Sequence, residues 1–228
     1  MTEDPADLVE VAVWDWPVRA VHWTIAVLVG TLLATGLIGG SAFMEWHMRA
    51  GEALLALVVF RIAWGFAGSR NARFASFVRG PRAVIEHLRA LPSASGPGPA
   101  THNPAGGWMV VALLLAMLVQ CCLGLFTRDE STIEGPLVRL ITEDLSDTLS
   151  MLHRRGWWLV GGLAAVHIVA VFALRFAHEE GLIDSMVSGK KRLPRGAASA
   201  ADAGASTARA LVLLGLCAFA VWWTVNRV

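Results

Sequence analysis

Four histidines carry the chemistry this sequence offers. His153 and His167 stand fourteen residues apart in "LHRRGWWLVGGLAAVHIVAV", a stretch with no charged residue after Arg155. An unsatisfied imidazole in such apolar surroundings is costly, so each ring needs a partner. Along an α-helix fourteen residues rise about 21 Å and turn about 1400°, roughly 40° short of four full turns. Both rings therefore leave one face of the helix at two depths, and one helix offers a ligand to each of two stacked sites. His47, in "MEWHMRAGE", and His22, in "WPVRAVHW", begin other apolar runs and supply the mates, His47 for His153 and His22 for His167.

An iron held between two neutral imidazoles from facing helices, without a covalent attachment motif, is the arrangement haem b requires. Zinc prefers three or four ligands converging at one depth, whereas these histidines divide two and two. Cys121, Cys122 and Cys217 lie inside apolar runs and form neither a CxxC nor a CxxCH pattern, which argues against a disulfide framework and covalent haem. His102, in "THNPAGG", competes with His22 or His167 for the inner site, although its place before Asn103 and Pro104 also suits a loop or cap. His87 and His178 read as solvated. Arg61, fourteen residues after His47, falls at the inner depth. Its guanidinium could meet a haem propionate or snorkel to lipid phosphate. Arg154 and Arg155 have the same two options at the outer end. Gly30, Gly36, Gly39, Gly40, Gly161, Gly162, Ala164 and Ala165 leave room for a flat ring or for close helix packing.

The elements that must position these residues are membrane helices. The chain has 228 residues, 55% apolar and 16% charged, with no tyrosine. Five apolar runs are long enough to cross hydrocarbon, at about twenty residues per crossing. They cover residues 18–44, 48–66, 103–127, 156–174 and 209–225. Most of the tryptophans fall near the ends of these runs, where belt anchoring accounts for them. The acidic N-terminus lacks a basic leader, so the first run is expected to remain as a span. Between spans, residues 68–104 suggest short interfacial helices and a loop. Residues 127–155 read as an acidic loop with a short helix, and "SGKKRLPRG" as a basic turn leading into an Ala, Gly and Ser linker.

Charge orients the bundle. Arg70, Arg73, Arg79, Arg82, Arg89, Arg175, Lys190, Lys191, Arg192, Arg195 and Arg209 fall on one side, which the positive-inside rule makes cytoplasmic. Glu45, Asp129, Glu130, Glu134, Glu143, Asp144 and Asp147 fall on the other, expected to be the periplasmic side of a bacterial inner membrane. The N-terminus is then cytoplasmic and the C-terminus periplasmic. A net charge of +1 offers nothing for nucleic-acid binding.

The motifs "VWDWPVRAVHW", "HMRAGEALLALVVFRIAWGFAGSRNARFASFVRGP", "THNPAGGWMV" and "LHRRGWWLVGGLAAVHI" together resemble the prokaryotic di-haem cytochrome b561 family, related to the b-type cytochrome subunits of nickel-iron hydrogenases. The resemblance implies an all-α integral membrane bundle. A four-helix di-haem core would occupy residues 13–192, a linker 193–208, and an additional transmembrane helix 209–228. It implies two haem b groups with axial ligands at His22, His47, His153 and His167. It also implies electron transfer between ubiquinone or menaquinone and a periplasmic partner, a c-type cytochrome or an oxidoreductase subunit such as that of a hydrogenase, with the acidic loop as a docking surface. The fifth span departs from the four-helix pattern and holds no histidine. Glu52, Arg61, Gln120 and His102 are the polar candidates near a quinone. A superoxide:quinone oxidoreductase is the alternative redox reading, and a haem-free scaffold or metal transporter the non-redox one.

Overall fold

The computed structural model describes residues 8–91, 101–128, 134–178, 181–194, 204 and 206–227. The described residues form eight α-helices: α1 Trp16–Ile38, α2 Ser41–Ala67, α3 Phe74–Phe77, α4 Pro81–Ala90, α5 Pro104–Gly124, α6 Glu143–His178, α7 Leu182–Ser188 and α8 Thr207–Asn226. α1, α2, α5, α6 and α8 are long and apolar enough to cross a membrane. Large apolar side chains point outward along them. Val27 is 68% exposed, Val169 67% and Phe176 79%. Such surfaces are stable against lipid rather than water, and helices satisfy their own backbone there. The chain is a multi-pass membrane protein.

Two expected boundaries move. The first span was expected to run to Met44, but α1 stops at Ile38 because Gly39 and Gly40 take φ of +70° and +90°, a region open to glycine. The Gly40 carbonyl then accepts the Phe43 and Met44 amides at 3.1 Å and starts α2. Glu45 and His47 thus belong to the first turns of α2. The expected acidic loop is also shorter, since Glu143, Asp144 and Asp147 lie in α6. Carboxylates in the first turn suit a helix N-terminus, and α6 runs on unbroken for 36 residues, about 54 Å. Asp129, Glu130 and Arg195 lie outside the described residues, as does most of the expected linker.

Cα packing divides the chain into two compact units. The first comprises Met1–Ala20, Ala63–Val111 and Ala165–Ala210; the second comprises Val21–Ile62, Ala112–Ala164 and Leu211–Val228.

The first unit contains the one sheet among the described residues. Strand β1, Leu8–Ala12, pairs antiparallel with β2, Lys190–Pro194, with Glu10 opposite Arg192. The expected basic turn is therefore partly a strand. Lys190 Nζ lies 2.6 Å from Glu10 Oε1, and that hydrogen bond and charge hold the Glu10 carboxyl below its usual range. The pairing is retained at neutral pH and lost as pH falls through the lowered value.

Beyond β1 the motif "VWDWPVR" closes the unit. Val13 and Trp14 amides donate to the Gly189 carbonyl at 2.8 and 3.1 Å, and Asn71 Nδ2 donates to the Val13 carbonyl at 3.1 Å. Gly189 has φ +85°, and a Cβ there would lie 3.0 Å from the Trp14 carbonyl. Asp15 does double duty. Its Oδ1 accepts the Val18 amide at 2.8 Å at the start of α1, and its Oδ2 accepts Trp64 Nε1 at 3.0 Å. Trp64 is fully buried. The start of α8 docks on the same unit, where Trp16 Nε1 donates to Thr207 Oγ1 at 3.2 Å and the Arg209 guanidinium lies 5.7 Å from the Trp64 ring centre.

Asp15→Ala removes both acceptors. It is expected to destabilise the protein by about 1–3 kcal/mol, since the Trp64 N–H is left buried without its partner. Asp15→Asn keeps an acceptor for Val18 but cannot accept at both positions, so its thermal midpoint in detergent should fall between those of wild type and Asp15→Ala. Equal midpoints for all three proteins would remove Asp15 from this role.

Candidate functional site

The second unit brings His47 and His153 together. His47 stands in the second turn of α2, and its Nδ1 is 3.0 Å from Thr35 Oγ1 on α1. The Thr35 hydroxyl also lies 2.8 Å from the Thr31 carbonyl. A carbonyl can only accept, so the hydroxyl proton goes to Thr31 and the Thr35 oxygen accepts from His47 Nδ1–H. His153 Nδ1 lies 3.0 Å from the Gln120 carbonyl on α5 and, by the same rule, donates to it. Both imidazoles therefore keep Nε2 as the nitrogen with a free lone pair. Their ring centres are 6.1 Å apart and their planes cross at 89°.

Missing side chains make this approach possible. A Cβ on Gly36 of α1 would stand 3.1 Å from His47 Cε1, and one on Gly124 at the end of α5 would stand 2.9 Å from His153 Cε1. A Cβ on Gly156 would collide with the Gln120 amide, whose Nε2 donates to the His153 carbonyl at 2.9 Å. Gln120, a candidate beside a quinone, is thus bound to His153 from both its backbone and its side chain. Of the glycines expected to make room for a ring, only Gly36 faces an imidazole; Gly30, Gly39, Gly40 and Gly162 have nothing within 4 Å.

The α6 face carrying His153 is fastened to the end of α5 at several points. Ser146 Oγ donates to the Phe126 carbonyl at 2.8 Å, and Ser150 Oγ accepts the Arg128 amide at 2.9 Å. Both serines are almost wholly buried. Residues 146, 150 and 153 follow the i+4, i+3 spacing of one helix face. Arg128 then reaches Glu143 at 3.1 Å and Asp147 at 2.9 Å. Those carboxylates hold its guanidinium protonated beyond the usual range, Glu143 contributing most. Two acids of the expected docking loop are therefore engaged within the chain. Arg49 pairs with Glu45 at 3.8 Å, while Arg154 and Arg155 are exposed.

The other expected residues stand as follows. His22, in α1 of the second unit, meets the Trp23 ring edge-on at 5.0 Å. His167 lies in α6 within the first unit, half-buried. His153 and His167 share the unbroken α6, so their fourteen-residue spacing falls in regular helix. Arg61 is only 7% exposed. His102, the competitor for the inner site, packs in the first unit with ring centres 4.8 Å from Trp14 and 4.5 Å from Phe77. His87 lies in α4, and the His178 side chain is outside the described residues. Among the described residues no group of three or more His, Cys, Asp or Glu is placed to hold a metal ion.

A family model described as prokaryotic cytochrome b561 matches residues 13–189. The chain belongs to the prokaryotic cytochrome b561 family. The probable Ni/Fe-hydrogenase 1 B-type cytochrome subunit of Escherichia coli (strain K12) is 23% identical over 224 residues, covering 83% of this chain and 94% of that protein. The probable Ni/Fe-hydrogenase B-type cytochrome subunit of Bradyrhizobium diazoefficiens is 22% identical over 214 residues, covering 80% of this chain and 86% of that protein. No solved structure matches the chain. Membership in the cytochrome b561 family supports a redox, electron-carrier role.

Two neighbouring imidazoles whose Nδ1 atoms are committed to acceptors are the residue types that would hold a b-type haem.

Gly124→Ala should push the His153 ring off the Gln120 carbonyl and cost about 1–3 kcal/mol. Gly162→Ala, in open space, should leave the thermal midpoint unchanged or raise it slightly. If the two variants melt alike, the ring does not depend on Gly124.

Proposed function

We propose that this cytochrome b561-family chain carries electrons across a bacterial inner membrane between the quinone pool and a redox partner on the periplasmic side. The observation that carries the proposal is the His47 and His153 pair, with ring centres 6.1 Å apart and each Nδ1 already committed. His47 and His153 would hold the outer haem b, and His22 and His167 the inner one. When bound, haem b supplies a reversible one-electron couple that a quinone, exchanging electrons and protons in pairs, can use in two steps.

The protein's own part is to bind, orient and seal. Thr35 and Gln120 fix the outer imidazoles as neutral ligands, and Gly36 and Gly124 keep the approach clear. Arg61, buried on α2, is suited to a propionate. The first unit holds Arg70, Arg73, Arg79, Arg82, Arg89, Arg175, Lys190, Lys191, Arg192 and Arg209. The positive-inside rule assigns that basic end to the cytoplasm, with the N-terminus inside and the C-terminus in the periplasm. The hydrogenase-subunit names of the relatives support a hydrogenase-like oxidoreductase subunit or a c-type cytochrome as the periplasmic partner.

Purified wild type, His153→Ala and His22→Ala should be compared by reduced-minus-oxidised absorption and by haem content per chain. Wild type should show a b-type band reducible by a quinol, and each variant should lose one of the two haems. A wild type without a b-type band would contradict the redox function. A variant retaining both haems would contradict the ligand pairing.

A further inference from the structure

The two outer histidines are not held alike. His153 donates to a main-chain carbonyl, that of Gln120, which no side-chain substitution can delete. His47 donates to a side-chain oxygen, Thr35 Oγ1, whose own proton is spent on the Thr31 carbonyl. Thr35 is 8% exposed, so no water competes for this bond from bulk solvent. A hydroxyl that gives its proton to a carbonyl becomes a better acceptor, because successive hydrogen bonds polarise one another. The chain Thr31 carbonyl, Thr35 hydroxyl, His47 Nδ1–H thus acts on one ring only.

We infer that Thr35 is a positioning residue. Through the Thr31–Thr35–His47 relay it sets the direction of the His47 ring, crossed against His153, and would so tune the haem held there separately from the other. The inference rests on the ligand pairing proposed above. Its physical basis is the general behaviour of ligating histidines, whose second nitrogen needs an acceptor that sets ring orientation and basicity. The Leu32 carbonyl is another acceptor facing His47. Without the Thr35 hydroxyl the ring can turn toward it, away from the 89° crossing.

The geometry also separates orientation from room. Gly36, next to Thr35, gives His47 Cε1 its space, whereas the hydroxyl supplies direction. A Thr35→Val substitution keeps the branched shape and removes only the acceptor. Thr35→Ser restores the acceptor without the methyl.

The test uses full-length protein purified in detergent: wild type, Thr35→Val, Thr35→Ser and His47→Ala. Each is measured by low-temperature electron paramagnetic resonance of the oxidised protein, by potentiometric titration and by haem content. In Thr35→Val the outer low-spin signal should lose anisotropy and one of the two midpoint potentials should move while the other stays, or the outer haem alone should be lost. Thr35→Ser should return both readings toward wild type. The inference is overturned if Thr35→Val has the wild-type signal and potentials. It is overturned equally if Thr35→Val and Thr35→Ser change alike, since packing rather than the hydroxyl would then be responsible. If His47→Ala keeps both haems, the ligand pairing itself fails and this inference with it; loss of one haem there, with a silent Thr35→Val, removes the Thr35 role alone.

Discussion

An imidazole inside hydrocarbon has two nitrogens to satisfy and no water to do it, and the surroundings of His47 and His153 are organised around that constraint. The Nδ1 atoms of His47 and His153 each find an acceptor on a neighbouring helix, Thr35 on α1 and Gln120 on α5. This leaves two neutral rings with one lone pair apiece, their centres 6.1 Å apart and their planes crossed. Neutrality matters because a buried imidazolium would be costly and could not ligate a metal. The same two bonds join α1 to α2 and α5 to α6, so the setting of these two rings and the helix packing of this unit are not separable.

The packing details follow from that pairing. Gly36 and Gly124 exist where a Cβ would strike an imidazole, and Gly156 where one would strike the Gln120 amide. Ser146 and Ser150 lie on the His153 face of α6 and exchange hydrogen bonds with the loop leaving α5. In the other unit Asp15 plays a comparable part without chemistry, tying the first turn of α1 to Trp64 of α2. A multi-pass protein gains little from burying apolar surface between helices, because lipid is as apolar as leucine; specific polar ties of this kind set its register instead.

Much of this was legible in the sequence. Five apolar runs became five helices long enough to cross a membrane, and His47 and His153, matched by depth in the sequence, have ring centres 6.1 Å apart. The acceptors were not legible, since a threonine in an apolar helix and a backbone carbonyl announce no partner. Gly39 and Gly40 were read as packing glycines inside one long span, although a Gly-Gly-Ser step is also a helix stop and restart. Charged residues hid two elements. Acids at the start of α6 resembled a loop, and "KKRLP" showed no apolar alternation that would mark a strand. The serine spacing before His153 was the signal that α6 begins earlier.

The proposal that His47 and His153 would hold one iron between crossed rings is read most directly by low-temperature electron paramagnetic resonance of the oxidised wild-type protein. Two imidazoles crossed near 89° should give a highly anisotropic low-spin ferric signal. Ordinary rhombic low-spin spectra from near-parallel ligands alone, or a high-spin ferric signal in their place, would contradict it.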